Sequence, residues 1–364
     1  MQKKPFLLSK NKIRGCLVLE DGSRYLGYSF GYPKSTAGEV VFNTGMVGYP
    51  ETLTDPSYYG QLLVFTYPLI GNYGIAANKS ENHLNFTFES SKVQIFGLIV
   101  SDYSDEYSHH SASKSLGNWL IRQKIPALSG IDTRALTKKL REKGTLLGKI
   151  LFDNDSIDYY DPNSENLVEY VSPQKPYLYG TGDHRLILMD CGCKHNILHS
   201  LIQRGVEVLR VPWNYDFSKE KFDGLVISNG PGNPKMCRRA IHFIRNTISK
   251  NIPVFGICLG NQLLALASGA NTYKLKYGHR SQNQPVMEVD TNRCLITSQN
   301  HGFAVDANTL PVDWEPWFVN LNDGTNEGIR HRSGLFMSVQ FHPEASPGPV
   351  DANFLFDKFL KLIK

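Results

Sequence analysis

Gly256-Ile257-Cys258-Leu259-Gly260 has the form Gly-x-nucleophile-x-Gly, with cysteine at the reactive position. A sharp strand-to-helix turn holds such a side chain clear of the sheet. The small residues two positions to either side let the two backbones pass closely. The helix that follows aims N–H groups and positive partial charge at the sulfur, which favours the thiolate, the form that attacks. The Leu259 N–H is placed to meet a developing oxyanion. A lone cysteine at a strand end is more often a packed apolar residue; here the flanking glycines turn the reading toward a nucleophile.

A thiolate nucleophile needs a base, and the base needs an orienting group. Among the eleven histidines, His109-His110 sits in a polar, Ser-rich stretch and reads as solvated loop. His342-Pro343-Glu344 follows a strong strand pattern over 335–341. In extended chain, residues i and i+2 point the same way. Glu344 can therefore accept from one ring nitrogen of His342 and leave the other to serve Cys258. The bland alternative, a strand-end histidine beside a surface glutamate, is weaker, because both segments end strands that can meet at one sheet edge. Ser228-Asn229-Gly230-Pro231-Gly232-Asn233-Pro234 also follows a strand pattern. Its two glycines and two prolines make a rigid loop, a natural second half of an oxyanion hole with free N–H groups; alone it would be an ordinary tight turn.

Two other patterns invite chemistry and are set aside. Cys191, Cys193, His195 and His199 could suggest zinc, but structural zinc usually draws paired ligands from two separate segments, so no metal ligand is assigned. Gly144-Thr145-Leu146-Leu147-Gly148-Lys149-Ile150 is one residue short of a P-loop and has Ile150 where a hydroxyl should hold magnesium. The chain carries no recognisable nucleotide site of its own.

These groups need a scaffold that brings strand ends together. From 184 onward, strand and helix patterns alternate: strands over 185–190, 206–211, 224–228 and 253–257, helices from 196, over 235–249 and 259–268, later strands near Val286, Ile296 and 335–341, and a last helix over 352–363. That alternation predicts an open, mostly parallel sheet with helices on both faces, an α/β fold whose reactive groups lie beyond the carboxyl ends of the strands. The first half, 1–152, reads as a β-rich α/β domain. It has an Asp21-Gly22 hairpin, strands over 39–43, 62–67 and 95–100, a helix carrying Leu116, Trp119 and Leu120, and a helix capped by Asp132 and stopped by Gly144. The polar, Pro- and Gly-containing stretch 153–183 reads as an exposed linker between them.

The 364 residues suffice for two or three domains. With 41% hydrophobic and 20% charged residues the chain is globular. Lys+Arg of 39 against Asp+Glu of 34 gives a net charge of +5 with no basic tract, which argues against nucleic-acid binding. The most apolar long run, 253–270, is interrupted by Asn261 and Gln262, so no membrane span is expected. Phe6-Leu7-Leu8 is too short for a signal-peptide core. A cytoplasmic protein is expected, its six cysteines thiols. The sequons at Asn78, Asn85 and Asn154 are then fortuitous.

Gly256 to Gln262, Ser228 to Gly232 and His342-Pro343-Glu344 together resemble the class I (triad) glutamine amidotransferases over about half the chain. Gly38-Glu39-Val40-Val41-Phe42-Asn43-Thr44-Gly45, Leu53-Thr54-Asp55-Pro56-Ser57-Tyr58, Ile131 to Thr137, Gln299 to Val305 and Glu344 to Pro349 resemble the small, glutamine-hydrolysing subunits of carbamoyl-phosphate synthases. The first three of these lie in the half that other triad amidotransferases lack. The resemblance implies that Cys258 attacks the carboxamide of L-glutamine, that His342 is base and then acid, and that Glu344 holds His342. It implies an oxyanion met by the N–H groups of Leu259 and Gly230, and glutamine held by Ser57, Gly232, Gln262, Asn300, Gly302 and Phe303. It further implies a heterodimer, or a higher oligomer of heterodimers, with a large subunit. That partner uses ATP, Mg and bicarbonate, takes ammonia through a tunnel and makes carbamoyl phosphate for pyrimidine and arginine synthesis. No cofactor is expected in this chain. Asn261 departs from the histidine often found there, and Gly45 from a serine in some relatives. Two alternatives remain: a catalytically silent docking or regulatory subunit, and a thiol hydrolase of the α/β-hydrolase type. In the latter the acid normally precedes the histidine in the chain, unlike Glu344.

Overall fold

The computed structural model describes residues 13–81, 84–153 and 155–363. The 6–8 run and Asn154 lie outside these. Seven strands close a barrel: β1 (Arg14–Leu19), β2 (Arg24–Ser29), β3 (Thr36–Asn43), β4 (Gln61–Phe65), β5 (Gly97–Ile99), β6 (Ala127–Ser129) and β7 (Leu146–Phe152), in the order β1-β7-β3-β4-β5-β6-β2. The β1–β2 pair is the hairpin expected at Asp21-Gly22. Period-two alternation sends Val40, Leu62, Val64 and Ile150 to one face, against Leu136 and Leu140 of helix α3 (Thr133–Lys143). Val41, Leu63, Phe65 and Leu98 go to the other, against α1 (Tyr49–Thr54) and α2 (Leu116–Arg122). Asp132 caps α3 through the Ala135 N–H, and Gly144 ends it.

The stretch expected to be exposed linker is only partly so. It forms a short helix α4 (Val168–Val171) and an edge strand β8 (Tyr177–Tyr179), and it buries Leu167 and Val168. Leu167 packs over Gly232 and Pro162 over Gly60, so this segment clamps the two halves together. The few apolar residues of a polar run were enough to anchor it.

The second half is one ten-stranded sheet. Its remaining strands are β9 (Arg185–Asp190), β10 (Glu207–Pro212), β11 (Gly224–Ile227), β12 (Val254–Ile257), β13 (Asn271–Glu288), β14 (Cys294–Asp306), β15 (Trp314–Asn320), β16 (Asn326–His331) and β17 (Phe336–Val339). The order is β8-β10-β9-β11-β12-β17-β16-β15-β13-β14. The five strands from β10 to β17 in that order are parallel; the others add on antiparallel. Helices α5 (His195–Ile202) and α8 (Phe354–Leu360) cover one face, and α6 (Arg238–Ser249) and α7 (Leu259–Ser268) the other. β13 and β14 form a long ribbon where the sequence pattern reveals only strands near Val286 and Ile296. Polar residues and Gly278 interrupt its alternation, and that hides its length.

Among the described residues no helix is long and apolar enough to cross a membrane. All six cysteines are free thiols, and only Cys294 is exposed. Asn85 is 3% exposed and its side-chain carbonyl accepts from the Thr87 and Phe88 N–H groups, so that sequon is closed to a glycan in the folded chain.

Candidate active site

β11, β12 and β17 run side by side and parallel, with Ile227 opposite Gly256 and Ile257 opposite Val339. The 228–234 loop, Cys258 and the 340–344 run therefore all leave the sheet at one edge. Cys258 sits between β12 and α7 with φ 55° and ψ −103°. A non-glycine residue there stores on the order of 1–3 kcal/mol of strain. A Cβ on Gly256 would come within 2.5 Å of the Gly260 carbonyl oxygen, and one on Gly260 within 2.2 Å of the Ile227 oxygen. Only glycines let strand and helix approach this closely. The Cys258 N–H donates to Val339 O at 2.8 Å and its carbonyl accepts from Asn261 N, which fixes the turn from both sides.

The thiol Sγ lies 3.6 Å from the Asn300 carbonyl oxygen. His342 Nδ1 is 2.6 Å from Glu344 Oε1, while Nε2 is buried with no hydrogen-bond partner among the described residues, and Cys258 lies close enough to raise the ring's proton affinity. Burial disfavours a proton on His342, yet the Glu344 carboxylate outweighs it and raises its proton affinity. Burial likewise works against the charge on Glu344, but Lys194 and His342 hold its carboxyl well below the usual carboxylate range. Lys194, which sequence reading missed, is the third member of this ionic cluster. Its Nζ is 3.0 Å from Glu344 Oε1, its side chain is 3% exposed, and it also donates to the Ala345 carbonyl. Burial disfavours its charge too, and Glu344, Glu89 and Asp55 more than compensate.

A pocket opens on the sulfur. Ser57, Gly230, Gly232 and Leu259 line it, as do Gln262, Asn300, Gly302 and Phe303, so every residue expected to contact a ligand faces one cavity. Among the described residues neither the Leu259 nor the Gly230 N–H donates to another group. His342 itself borders an adjoining hollow with Asp55, Lys194 and Ser298. Asn261 does not line the pocket; it accepts from Ser338 Oγ and donates to Gln340 Oε1.

The charged lining was not foreseen. Glu39 from the barrel and Lys274 and Arg280 from the ribbon face the cavity, with Lys274 Nζ 2.7 Å from Glu39 Oε1. Arg280 is 5% exposed, and its Nε has no hydrogen-bond partner among the described residues. Asp55 ties the halves together. Oδ1 accepts from Ser57 N at 2.9 Å and Asn229 Nδ2 at 3.3 Å, and Oδ2 from Asn300 Nδ2 at 2.8 Å. These charges come from scattered elements, so no run of adjacent residues could have signalled them. The set-aside Cys191–His199 group is bound up locally: Cys193 Sγ donates to Lys194 O, His195 Nδ1 accepts from Asn85 N, and His199 Nε2 meets Asn85 O.

The cysteine elbow with its His–Glu pair, at the carboxyl edge of a helix-flanked sheet, defines a class-I glutamine amidotransferase domain. The corresponding family, Glutamine amidotransferase class-I, matches residues 187–362. The barrel half matches the Carbamoyl-phosphate synthase small chain, CPSase domain, over residues 17–150, and the chain belongs to the carbamoyl-phosphate synthase small-chain family. It is 50% identical to the Multifunctional protein pyr-3 of Neurospora crassa, over 96% of this chain and 21% of that protein. It is 49% identical to the human Carbamoyl-phosphate synthase [ammonia], mitochondrial, over 98% of this chain and 24% of that protein. The chain thus spans a quarter or less of the length of these relatives. A solved structure of a glutamine amidotransferase from Thermotoga maritima covers 44% of this chain and 76% of its own, with a TM-score of 0.38 and 22% identity.

Proposed function

We propose that the chain is the glutaminase portion of a carbamoyl-phosphate synthase. One observation carries the reading. Cys258 stands on a strained elbow at the carboxyl edge of the sheet, and His342 lies beside it, held through Nδ1 by Glu344. The Cys258 thiolate attacks the carboxamide carbon of L-glutamine while His342 keeps the thiol proton. The oxyanion is met by the N–H groups of Leu259 and Gly230. The C–N bond breaks, His342 passes its proton to the leaving nitrogen, and ammonia departs from a γ-glutamyl thioester. Water then gives a proton to His342 and attacks the thioester. Glutamate leaves, Cys258 is regenerated, and one water has been consumed per glutamine. Gln262, Asn300, Gly302 and Phe303 with Ser57 and Gly232 form the glutamine pocket. Glu39 and Arg280 supply opposite charges suited to a zwitterionic head group.

In this reading ammonia passes to a large synthetase, fused or separate, which uses ATP, Mg and bicarbonate to make carbamoyl phosphate for pyrimidine or arginine synthesis. The great length of the relatives supports such a partner. Six free thiols fit a reducing compartment, and we place the chain in the cytoplasm; subcellular fractionation tests that placement. The second reading, a silent docking subunit, draws on relatives named for ammonia. The intact Cys258, His342 and Glu344 set favours catalysis. Cys258→Ala in the complete synthase should abolish glutamine-dependent carbamoyl phosphate formation and leave ammonium-dependent formation intact. Glutamine-dependent turnover in that variant would sink the assignment. A chloroketone analogue of glutamine should add one adduct at Cys258 by intact mass, which a silent subunit would not take up selectively.

A further inference from the structure

The ribbon that floors the pocket carries a second cluster that this reaction does not use. His279 on β13 and His301 on β14 lie directly opposite in the antiparallel register, with ring centroids 4.9 Å apart and planes at 86°. Glu327 on β16 reaches the same point. His279 Nδ1 is 3.3 Å from Glu327 Oε1 and His301 Nε2 is 4.0 Å from that oxygen. One donor atom from each of the three lies within 4.8 Å of the others. Side-chain exposure is 9% for His279, 1% for His301 and 0% for Glu327.

The outer ring nitrogens are already engaged. His279 Nε2 is 2.8 Å from Asp323 Oδ2, and His301 Nδ1 is 2.8 Å from the Phe303 carbonyl oxygen. A carbonyl oxygen only accepts, so His301 carries its proton on Nδ1 and turns a lone pair inward from Nε2. That lone pair faces Glu327 and the Gln299 Oε1 atom at 3.2 Å. The second carboxylate oxygen, Glu327 Oε2, is buried with no hydrogen-bond partner among the described residues. Inward lone pairs and an under-satisfied carboxylate repel in a dry interior. A shared cation removes both penalties. Anchoring the far nitrogen of each imidazole on an acceptor is also how ligating histidines are oriented.

We propose that His279, His301 and Glu327 form a binding site for a divalent transition-metal cation of the zinc type. Two imidazole nitrogens and one carboxylate oxygen suit zinc and its neighbours better than magnesium or calcium, which prefer all-oxygen shells. Zinc ligands at about 2.0–2.1 Å in a tetrahedron stand roughly 3.3 Å apart, so the observed separations, all within 4.8 Å, need at most about 1.5 Å of closure. Gln299 Oε1 or water can complete the shell. The role is structural: His301 adjoins Asn300, whose carbonyl faces the Cys258 thiol, and the bound ion would stiffen the strand that lines the pocket. The proposal is independent of the reaction assigned above.

The competing occupant is a proton, with His279 an imidazolium between Asp323 and Glu327. The test uses the full chain carrying Cys258→Ala, so that a thiolate cannot capture the ion. After reconstitution with zinc chloride and desalting, elemental analysis should find about one zinc per chain. Cobalt should give the visible bands of a tetrahedral site without a sulfur-to-metal charge-transfer band. Adding Glu327→Gln, which preserves shape, should lower retained metal at least tenfold, and His301→Asn should do the same. Should either variant misfold, the parent's melting temperature still reports, rising by several degrees with zinc and falling back with a chelator. The proposal is overturned by less than a tenth of an equivalent in the Cys258→Ala chain with no thermal response. It is equally overturned by full retention of the metal in a folded Glu327→Gln chain.

Discussion

The acid of the proposed His–Glu pair also balances a buried ammonium. Glu344 Oε1 serves both His342 and Lys194, and the side chains of all three are nearly inaccessible. Glu344→Gln should therefore do three things. It lowers the pH at which His342 loses its proton, because burial then acts with its main counterweight removed; imidazole NMR reads the shift. It removes the direct ion-pair partner of Lys194, leaving only Glu89, Asp55 and the Ala345 carbonyl to offset its buried charge, at up to about 3–5 kcal/mol of stability. And it slows glutamine hydrolysis by about 10⁴-fold, as expected when the orienting acid of a triad is neutralised. Arg280→Met tests another residue, whose Nε lacks a hydrogen-bond partner where the side chain lines the pocket. Its expected signature is a KM for glutamine raised at least tenfold with kcat changed much less; the opposite split would assign Arg280 to the chemical step. Glu89, buried beside Ser346 and Asn196, has its carboxyl pushed up to about 7 by burial. Because the folded chain then binds this proton more tightly than the unfolded chain, Glu89 costs stability as pH rises from about 4.5 to 7, by about 3 kcal/mol. Urea unfolding at pH 5 and pH 7 should give a larger loss for the native chain than for Glu89→Gln.

At the scale of elements, the turn between β12 and α7 depends on the absence of two methyl groups. Gly260→Ala places a carbon 2.2 Å from a backbone oxygen of β11. It should cost about 3 kcal/mol or yield insoluble protein. Gly205→Ala is the control: φ is +74° but nothing lies within 4 Å, so backbone strain alone should cost about 1–2 kcal/mol. Equal losses in thermal denaturation would refute the close-approach account. This turn was readable in advance because nucleophile, glycines and strand are contiguous, and because His342 and Glu344 lie two residues apart at the end of an apolar run. The barrel's closure was not, since it depends on β1 pairing with β7, far along the chain, a register that no local pattern carries. The full ribbon of β13 and β14, and with it Lys274, Arg280 and His279, was hidden for a different reason. Its strands are largely polar and broken by register shifts near Lys274 and Ser281, so period-two alternation fails where the pocket and the His–His–Glu cluster are built.

For the whole molecule, the site is divided between two bodies. Ser57, Glu39 and Asp55 belong to the barrel half and Cys258, Asn300 and His342 to the sheet half, with Asp55 bonded to both Asn229 and Asn300 across the seam. Pro162 and Leu167 press on glycines of the two sides. Calorimetry should accordingly record one cooperative unfolding transition. Asp55→Ala, which leaves three donors without their acceptor at about 1–3 kcal/mol each, should separate it into two or lower it sharply. An unchanged single peak would show that the seam is held elsewhere. Asp55 also implies something about control. In the proposed reaction Ser57 and Glu39 of one body complete a pocket whose other walls and thiol belong to the other, so a displacement along their boundary would alter capture before it disturbs the sulfur. On the proposed reaction, pressure on the outside of the barrel would then be felt at glutamine capture, at a distance from the thiol.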